Sequence, residues 1–376
     1  MDLNQKKKYM KMAINLAKKG INKTGSNPIV GAIIVKNKKI IGKGFHSDFG
    51  GDHAEIVAIK DAESRRKSVK GSTLFVTLEP CCHTNKKTPP CVNTIISKGI
   101  EQVYFLEYDI NPNVNGNGIK KLKSNKIKVS QITLKNKLKE INRGFESIKI
   151  NNRPFVTLKI CSSLDSKIYS DQISNNSIGD KVQREHANNL RQNYDAILVG
   201  VNTIIKDNPK LNYRGKNNKV KQPTPIIMDS NLRIPLESKV LKNKLQKPII
   251  FCKFSVSDRK IKTYESNKII VIKLKKISPK NILKQLLGLN FQRVLVEGGG
   301  SVFTSFLKEN VWDEMLIYYS KIFIGKSGLG LSDTMDQLNK IKGKEIDKID
   351  KVGNSILVRI NWWELEFLEE LLILFI

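Results

Sequence analysis

Residues 77–91 carry the sequence TLEPCCHTNKKTPPC, and an HAE triplet begins upstream at His53. One histidine and two cysteines, His53, Cys81 and Cys91, are ligands that zinc prefers, and three protein ligands leave a fourth tetrahedral position for water. Glu55 lies two residues after the histidine, so it can stay off the metal and carry protons during attack by activated water. The stretch therefore predicts a catalytic zinc site for hydrolytic chemistry.

The same residues leave two questions open. A closed, structural zinc site would use Cys82 or His83 as the fourth ligand, although such a site has no use for a glutamate beside the histidine. Cys81 directly follows Pro80 and fits the H-x-E with P-C…C pattern of zinc nucleobase deaminases, whereas Cys82 is the alternative ligand. His46 and His186 have no cysteine neighbour, and we interpret them as surface or hydrogen-bonded histidines.

The composition is that of a globular protein in a reducing compartment. The chain has 376 residues, which allows two or three domains, and a formal net charge of +31. Its lysines are spread along the sequence, so the charge indicates compositional bias; a basic surface for RNA or phosphate-bearing ligands is the alternative. No apolar run approaches the roughly 20 residues that cross a bilayer, and the N-terminus has no secretory signal. We expect a cytoplasmic protein without a disulfide framework.

Hydrophobic periodicity divides the chain into two α/β halves. The first is predicted as α, β, β, α, β, α, β, α, β, α, with a hairpin turn at Asn37 and Lys38 and a mostly parallel sheet that is covered on both faces. A polar stretch that ends at Pro154 marks the boundary near Asn151. The predicted domains are therefore residues 1–150, residues 151–360 and an apolar tail, 361–376.

The second half contains a glycine turn, Val296-Glu-Gly-Gly-Gly-Ser301, between a strand and a helix. Exposed backbone N–H groups at such a helix start can hold a phosphate, although the turn by itself is weak evidence. It lacks the G-x-G-x-x-G spacing of a Rossmann site, so a Rossmann fold is not implied. Glu297 at the end of the strand is predicted to face a ligand.

The motifs together resemble the bifunctional deaminase–reductase family of riboflavin biosynthesis, across the chain to about residue 360. The deaminase half of that family shows T-L-E-P-C-S-H-x-G-[RK]-T-P-P-C, and its long loop ending in T-P-P-C differs from the C-x-x-C of cytidine and tRNA deaminases. The segments that begin at Asp109 (DINP) and Ile141 (INRGF), and the stretches TLKICSSLDSKI, AILVGVNTIIKDNPKLNYR and VEGGGSVFTSFL, are similar to further segments of the family.

The resemblance implies a cytidine-deaminase-like α/β/α domain with Zn²⁺, followed by a dihydrofolate-reductase-like α/β domain that uses NADPH. It implies the hydrolytic deamination of 2,5-diamino-6-ribosylamino-4(3H)-pyrimidinone 5′-phosphate, with Glu55 as proton shuttle, and then reduction of the ribosyl side chain. The NADPH site would comprise Cys161, Ser177, Thr203, Asp207, Ser230, Gly299, Gly300, Ser301, Val302, Phe303, Thr304 and Ser305. The phosphoribosyl substrate would contact Asn175, Arg191, Leu211, Arg214 and Glu297. A homo-oligomer without nucleic acid or membrane partners is expected.

The sequence departs from the family pattern in several places. Cys82 replaces a serine, and the loop that follows it is one residue longer and lacks a glycine. Ser166 replaces the glycine of S-L-D-G, and no tryptophan stands before Ser177. Two alternatives follow: a zinc deaminase that acts on RNA, and a deaminase whose reductase half is inactive. The tail 361–376 is interpreted either as an amphipathic helix that packs on a neighbour or as a non-native extension.

Overall fold

The computed structural model describes residues 1–83, 89–111, 114–134, 138–171, 178–215, 221–243, 245, 247–330 and 346–361. The chain divides into two compact units, Met1–Asn152 and Arg153–Ile376. Both units combine helices with a β-sheet, which confirms the predicted α/β class. Within the described ranges, no helix is both long enough and apolar enough to span a membrane.

The first unit follows the predicted order of elements. Its helices are α1 (Leu3–Ala17), α2 (Ala54–Ser64), α3 (Cys91–Ser97), α4 (Asn117–Ser124) and α5 (Leu138–Asn151). Its strands are β1 (Gly31–Lys36), β2 (Lys39–Phe45), β3 (Thr73–Leu78), β4 (Gln102–Glu107) and β5 (Lys128–Gln131). The alternation of strands and helices in the sequence was therefore sufficient to predict this order.

The sheet of the first unit is mixed, so the prediction of a mostly parallel sheet was wrong here. Its strand order is β2-β1-β3-β4-β5 among the strands that the structure describes. β1 pairs antiparallel with β2 and with β3, whereas β3, β4 and β5 run parallel. The predicted hairpin turn is the cause: Asn37 and Lys38 both have positive φ, 49° and 60°, which turns the chain straight back along β1.

Helices cover both faces of this sheet, as predicted. On one face, α2, α3 and α4 pack their apolar side chains on β1, β3 and β4. On the other face, the buried residues Met10, Ala13, Ile14 and Ala17 of α1 pack against Phe75 and Tyr104. Because the strands are buried on both sides, the carboxyl ends of β3 and β4 are where polar groups can meet a ligand.

The second unit has a larger set of elements. Its helices are α6 (Lys181–Leu190), α7 (Val201–Asp207), α8 (Asp258–Glu265), α9 (Pro279–Gly288) and α10 (Gly300–Lys308). Its strands are β6 (Phe155–Ser162), β7 (Lys167–Tyr169), β8 (Ala196–Gly200), β9 (Thr224–Met228), β10 (Ile249–Lys253), β11 (Ile270–Leu274), β12 (Arg293–Val296), β13 (Glu314–Tyr319), β14 (Leu329–Gly330), β15 (Ile346–Val352) and β16 (Ser355–Asn361).

The main sheet of the second unit is parallel over most of its width. The described strands follow the order β11-β10-β9-β8-β12-β6-β13-β16-β15, and only β16 and β15 at one edge are antiparallel. Separate apolar clusters cover the two faces; one includes α9 and α10, and the other includes α7 and α8. The carboxyl ends of β8, β9 and β12 therefore lie together at one edge, where α7 and α10 begin.

Ser166 stands in a backbone conformation that favours glycine. Its φ is 61°, in the turn between β6 and β7, where its N–H donates to the Ser163 carbonyl at 3.1 Å. A side chain in the left-handed region costs about 1–2 kcal/mol. The turn is held by Asp165, whose carboxylate accepts hydrogen bonds from the N–H groups of Ile324 and Gly325 at 3.1 and 2.7 Å. These bonds explain how the turn tolerates serine.

Candidate functional site

Three elements bring the predicted zinc ligands together. His53 is the N-cap of α2, Cys81 follows β3, and Cys91 is the first residue of α3. Their ligand atoms all lie within 4.8 Å of one another, and the His53 Nδ1 atom is 3.5 Å from Cys81 Sγ and 3.3 Å from Cys91 Sγ. One imidazole and two thiols at this separation suit zinc. Of the two adjacent cysteines, Cys81 rather than Cys82 joins this group.

The surroundings favour the thiolate form of Cys81. Its sulfur accepts hydrogen bonds from the Cys91 side chain and, at 3.4 Å, from the Cys91 N–H. The side-chain bond is the largest cause that lowers the pKa of Cys81 to about 3, with His53 adding to it against the opposing effect of burial. Because the thiolate is the form of cysteine that binds metal, the site is prepared for a cation.

Glu55 lies beside this group in the first turn of α2. Its side chain is buried, and burial raises the pKa of the carboxyl above its ordinary value. A carboxyl group with a raised pKa holds a proton more readily than an exposed one, which suits a group that carries protons. The position of α2 depends on Gly44 in β2, since a Cβ atom there would lie 2.2 Å from the Ala54 carbonyl oxygen. Close packing on this glycine thus sets the start of the helix.

A cavity of about 330 Å³ adjoins these residues. Besides His53, Glu55 and Cys81, its lining includes side chains from several loops and from α5: Asn27, His46, Phe49, Asp109, Asn111, Phe145 and Lys149. Burial raises the pKa of Asp109 to about 6. The cavity therefore presents amide, imidazole and carboxyl groups to a small polar molecule next to the zinc ligands.

His46 is a buried histidine with two hydrogen-bond partners. Its Nδ1 atom lies 2.9 Å from the Asp52 carbonyl oxygen, and its Nε2 atom lies 3.1 Å from the Asn27 amide nitrogen. Burial lowers the pKa of His46, which favours a neutral ring with its proton on Nδ1. His186 is likewise bonded, with Nδ1 2.7 Å from the Tyr318 hydroxyl. The interpretation of both as hydrogen-bonded histidines is confirmed, although His46 also lines the cavity.

Glu79 has a role that the sequence analysis did not predict. Its buried carboxylate accepts hydrogen bonds from the N–H groups of Gly116, Ile119 and Asp109 at 2.9, 3.2 and 3.4 Å. A Cβ atom at Gly118 would lie 2.2 Å from the Pro80 carbonyl oxygen, so this glycine allows the loop to approach closely. Glu79 thereby fastens the segment that bears Asp109 to the segment that bears Cys81.

In the second unit, a cavity of about 960 Å³ contains four of the predicted substrate residues: Arg191, Leu211, Arg214 and Glu297. Arg191 donates from Nε and Nη2 to the two carboxylate oxygens of Glu297 at 3.0 and 2.8 Å, and from Nη1 to the Asn212 carbonyl at 2.9 Å. Lys159 Nζ lies 3.8 Å from Glu297. Burial alone would raise the pKa of Glu297, but Arg191 and Lys159 together lower it to about 2.

The predicted cofactor residues lie around two cavities. Cys161 and Asp207 line the cavity of Glu297, and Thr203 lines both that cavity and a neighbouring one of about 420 Å³. The smaller cavity also contains Ser230, Gly299, Ser301, Val302 and Ser305. Gly300, Phe303 and Thr304 are buried in α10 and line neither cavity. Asn175, Ser177 and the tail beyond Asn361 lie outside the described residues.

The smaller cavity has the chemistry that a dinucleotide phosphate needs. It lies at the carboxyl ends of β8 and β9 and at the N-terminus of α10, whose N-cap is Gly299. Free N–H groups at a helix start, together with the hydroxyls of Thr203, Ser230 and Ser301, suit phosphate oxygens. These residues fit the cofactor predicted from the sequence.

Comparison with known proteins agrees with this division into two sites. Residues 3–107 match the model of the cytidine and deoxycytidylate deaminase zinc-binding region, and residues 154–357 match the RibD C-terminal domain. The alternative of a deaminase that acts on RNA gives no account of this second match.

Full-length relatives extend the similarity over both units. The chain is 37% identical over 356 residues to the riboflavin biosynthesis protein RibD of Aquifex aeolicus, covering 94% of this chain and 97% of that one. It is 37% identical to RibD of Bacillus amyloliquefaciens over 353 residues, covering 93% and 94%.

A solved structure is similar over the same length. The diaminohydroxyphosphoribosylaminopyrimidine deaminase/5-amino-6-(5-phosphoribosylamino)uracil reductase of Thermotoga maritima has 34% identity and a TM-score of 0.80, covering 96% of this chain and 99% of that one. Deaminase and reductase units are thus present together and in the same order. The chain belongs to the RibD family, the bifunctional deaminase–reductases of riboflavin biosynthesis.

Proposed function

We propose that the first unit hydrolyses the 2-amino group of 2,5-diamino-6-ribosylamino-4(3H)-pyrimidinone 5′-phosphate. The observation that carries this proposal is the group of ligand atoms from His53, Cys81 and Cys91 beside the buried Glu55. The name of the Thermotoga maritima relative, a phosphoribosylaminopyrimidine deaminase, supports the same class of substrate.

His53, Cys81 and Cys91 would hold the zinc ion in this reaction. When bound, zinc supplies the Lewis acidity that lowers the pKa of water and makes hydrolysis fast near neutral pH. Glu55 accepts the proton of the attacking water on its carboxylate and delivers it to the departing amine, so each turnover returns the carboxyl to its starting state. Burial keeps Glu55 away from bulk water, which would otherwise exchange that proton.

The cavity wall supplies the groups that recognise the substrate. Asn27, Asp109 and Asn111 offer donors and acceptors for an aminopyrimidine ring, and Phe145 offers an apolar surface. Lys149 is the lysine among the lining residues and suits the 5′-phosphate. Asp109 keeps its position because Glu79 accepts its backbone N–H.

Replacing Cys91 by serine should remove zinc from the purified protein. Replacing a residue that hydrogen-bonds to a metal ligand typically weakens metal binding by roughly 10- to 100-fold. Loss of the Cys91 thiolate, a ligand itself, should weaken zinc binding by more than that. Zinc content by atomic emission is the measurement. Cys82→Ser is the matched control, since Cys82 lies outside the group of ligand atoms, and it should retain zinc. Loss of zinc from Cys82→Ser with retention in Cys91→Ser would contradict the ligand assignment.

We propose that the second unit reduces the ribosyl side chain to ribityl with NADPH. The cofactor, when bound, supplies the hydride to C1′. Thr203, Ser230 and the turn from Gly299 would hold its phosphates. Glu297 faces the substrate cavity as a carboxylate and is held there by Arg191.

The charge of Arg191 is balanced by Glu297, so a cation without a carboxylate partner suits the substrate phosphate better. The Nε, Nη1 and Nη2 atoms of Arg191 each already donate a hydrogen bond to Glu297 or to the Asn212 carbonyl. Arg214 is exposed on the wall of the same cavity, so its guanidinium can pair with phosphate oxygens. We therefore assign the phosphate to Arg214 and the positioning of Glu297 to Arg191.

Replacing Arg191 by methionine is expected to make the reductase step sensitive to pH. With a pKa of about 2, Glu297 stays ionised in the wild-type protein at every pH above about 4. Without the guanidinium, only Lys159 and Arg214 oppose the effect of burial, so the pKa of Glu297 rises and its ionised fraction falls at a higher pH than in the wild type. The measurement is the rate of NADPH oxidation from about pH 5 to 8. A variant with the flat profile of the wild type would contradict this role.

The lowered pKa of Glu297 also affects the stability of the folded protein. Because the pKa of Glu297 is lower in the folded protein than its ordinary value of 4.5, the ion pair stabilises the wild type above that pH. This contribution disappears as the pH falls toward 2, and Arg191→Met should lack it.

The proposed activities are tested in sequence on one sample. Zinc-loaded protein is given the diaminopyrimidine ribotide, ammonia is measured, and NADPH is then added while its absorbance is followed. Ammonia release followed by NADPH oxidation supports both steps. Ammonia without NADPH oxidation would leave a deaminase with an inactive reductase half, and no ammonia from zinc-loaded protein would contradict the substrate. A cytoplasmic location, a homo-oligomer and the lack of a nucleic-acid partner stay predictions.

A further inference from the structure

The smaller cavity of the second unit contains a charged residue that the resemblance did not assign. Its described lining comprises glycines, apolar side chains, hydroxyls and amides, and it includes one ionisable side chain, Arg233. No aspartate or glutamate is among these residues. The 2′-phosphate that distinguishes NADPH from NADH is a dianion, so an arginine in a cavity without a carboxylate suits NADPH.

Arg233 is anchored at the cavity by its side chain and by its backbone. Its Nη2 atom donates to Asn202 Oδ1 at 2.8 Å, and Asn202 lies in the first turn of α7 on the same wall. The next residue, Ile234, donates its N–H to Asp229 at 2.8 Å and accepts the Tyr264 hydroxyl at 2.6 Å. The turn after β9 therefore presents a guanidinium in a fixed place.

The guanidinium retains donors for a ligand. Within the part of the chain that the structure describes, its side chain donates to Asn202 Oδ1, which leaves further N–H groups of the fork for a ligand. Arg191 in the neighbouring cavity differs, because its guanidinium donates two hydrogen bonds to the carboxylate of Glu297. A planar fork with unused N–H groups, exposed at the wall of a cavity, matches a phosphate dianion.

We infer that Arg233 binds the 2′-phosphate of NADPH and thereby makes the reductase prefer NADPH to NADH. This inference rests on the proposed use of NADPH by the second unit, and it adds the residue that selects the cofactor. The phosphate pairs with the free edge of the guanidinium while Asn202 holds the other edge. The hydroxyls of Ser230 and Ser301 line the same cavity and complete a polar environment for the adenosine end of the cofactor.

The test uses fragments that lack the nicotinamide, so it needs no turnover. Isothermal titration of the full-length protein is carried out with 2′,5′-ADP and with 5′-AMP, which differ by the 2′-phosphate alone. The wild type should bind 2′,5′-ADP more tightly than 5′-AMP. Arg233→Met should weaken the binding of 2′,5′-ADP by about 10- to 100-fold and leave the binding of 5′-AMP unchanged. NADPH and NADH should follow the same pattern. Arg233→Lys should give an intermediate loss, because it keeps the charge without the fork.

Arg259→Met is the matched control. It removes the same charge from an exposed arginine on α8 that lines none of the three cavities described above, so it should bind both fragments as the wild type does. Equal binding of 2′,5′-ADP by Arg233→Met and the wild type, with NADPH still bound, would overturn the inference and leave the reductase proposal intact. A wild type that binds neither NADPH nor NADH would instead overturn the proposed cofactor.

Discussion

Glu55→Gln is expected to slow ammonia release by about 10²- to 10⁴-fold. Glutamine has nearly the same shape as glutamate, so it fits the buried site at the start of α2, but its amide cannot take a proton from water and pass it to the amine. The three ligand atoms are unchanged, and zinc content should stay at the wild-type value. NADPH oxidation with the deaminated intermediate as substrate should also be unchanged, because the reductase residues lie in the other unit.

A glutamate on the same helix provides the control. Glu63 also lies on α2, but its side chain is exposed and pairs with Lys98. Glu63→Gln removes the same charge from the same helix and should leave ammonia release within about twofold of the wild type, since exposed pairs contribute little. Comparable losses in both variants, or ammonia release by Glu55→Gln at the wild-type rate, would contradict the proton-carrying role of Glu55.

Asp313→Ala is expected to destabilise the second unit by about 3–5 kcal/mol. Asp313 is fully buried, and its carboxylate accepts two hydrogen bonds from Arg153 at 2.6 and 2.8 Å and one from the Val156 N–H at 2.7 Å. Alanine removes the carboxylate, so the largely buried guanidinium of Arg153 and the N–H of Val156 lose this acceptor. These contacts join the start of β6 to the start of β13, which are neighbours in the sheet.

Hydrogen exchange followed by mass spectrometry measures this loss locally. Peptides from β6 and β13 should exchange faster in Asp313→Ala, because exchange in a cooperative unit reports its free energy of opening. The control is Asp258→Ala, which breaks an exposed pair with Lys273 and should cost about 1 kcal/mol or less. Unchanged exchange in β6 and β13 of Asp313→Ala would show that the buried pair does not stabilise this part of the sheet.

The sequence was sufficient where function depends on residues close together along the chain. His53 caps the helix that carries Glu55, and Cys91 opens the next helix after its own loop. A motif of this kind specifies residue type and spacing together, so the amino-acid sequence alone was enough to predict which three side chains come together. The order of elements in the first unit followed for the same reason, since strand and helix periods are local properties.

What the sequence could not predict depends on pairing between distant segments. Glu79 and Asp109 meet because β3 and β4 are parallel neighbours. No local sequence pattern predicts which backbone N–H groups a buried carboxylate will accept. Arg191 and Glu297 are 106 residues apart. The sequence suggested that both face substrate, but their bidentate pairing, on which the proposed positioning role of Arg191 rests, requires the fold.

Some elements of the second unit have only a weak signal in the sequence, for a related reason. The sequence of α8, DRKIKTYE, places only Ile261 and Tyr264 in the core, too few apolar positions for a helical period to stand out. Strand β15 forms the antiparallel edge of the sheet beside β16, and its side chains are largely exposed, so it lacks the continuous apolar run of a central strand.

The carboxylate of Glu79 also constrains how the first unit can move. Because one side chain holds the N–H groups of Asp109, Gly116 and Ile119, those three amides gain or lose their acceptor in a single event. Loss of the Glu79 carboxylate would therefore remove three hydrogen bonds at once, next to the segment that bears Cys81. The same carboxylate thus links the segment that bears Asp109, in the wall of the cavity, to the segment that bears Cys81, so the two segments share one support.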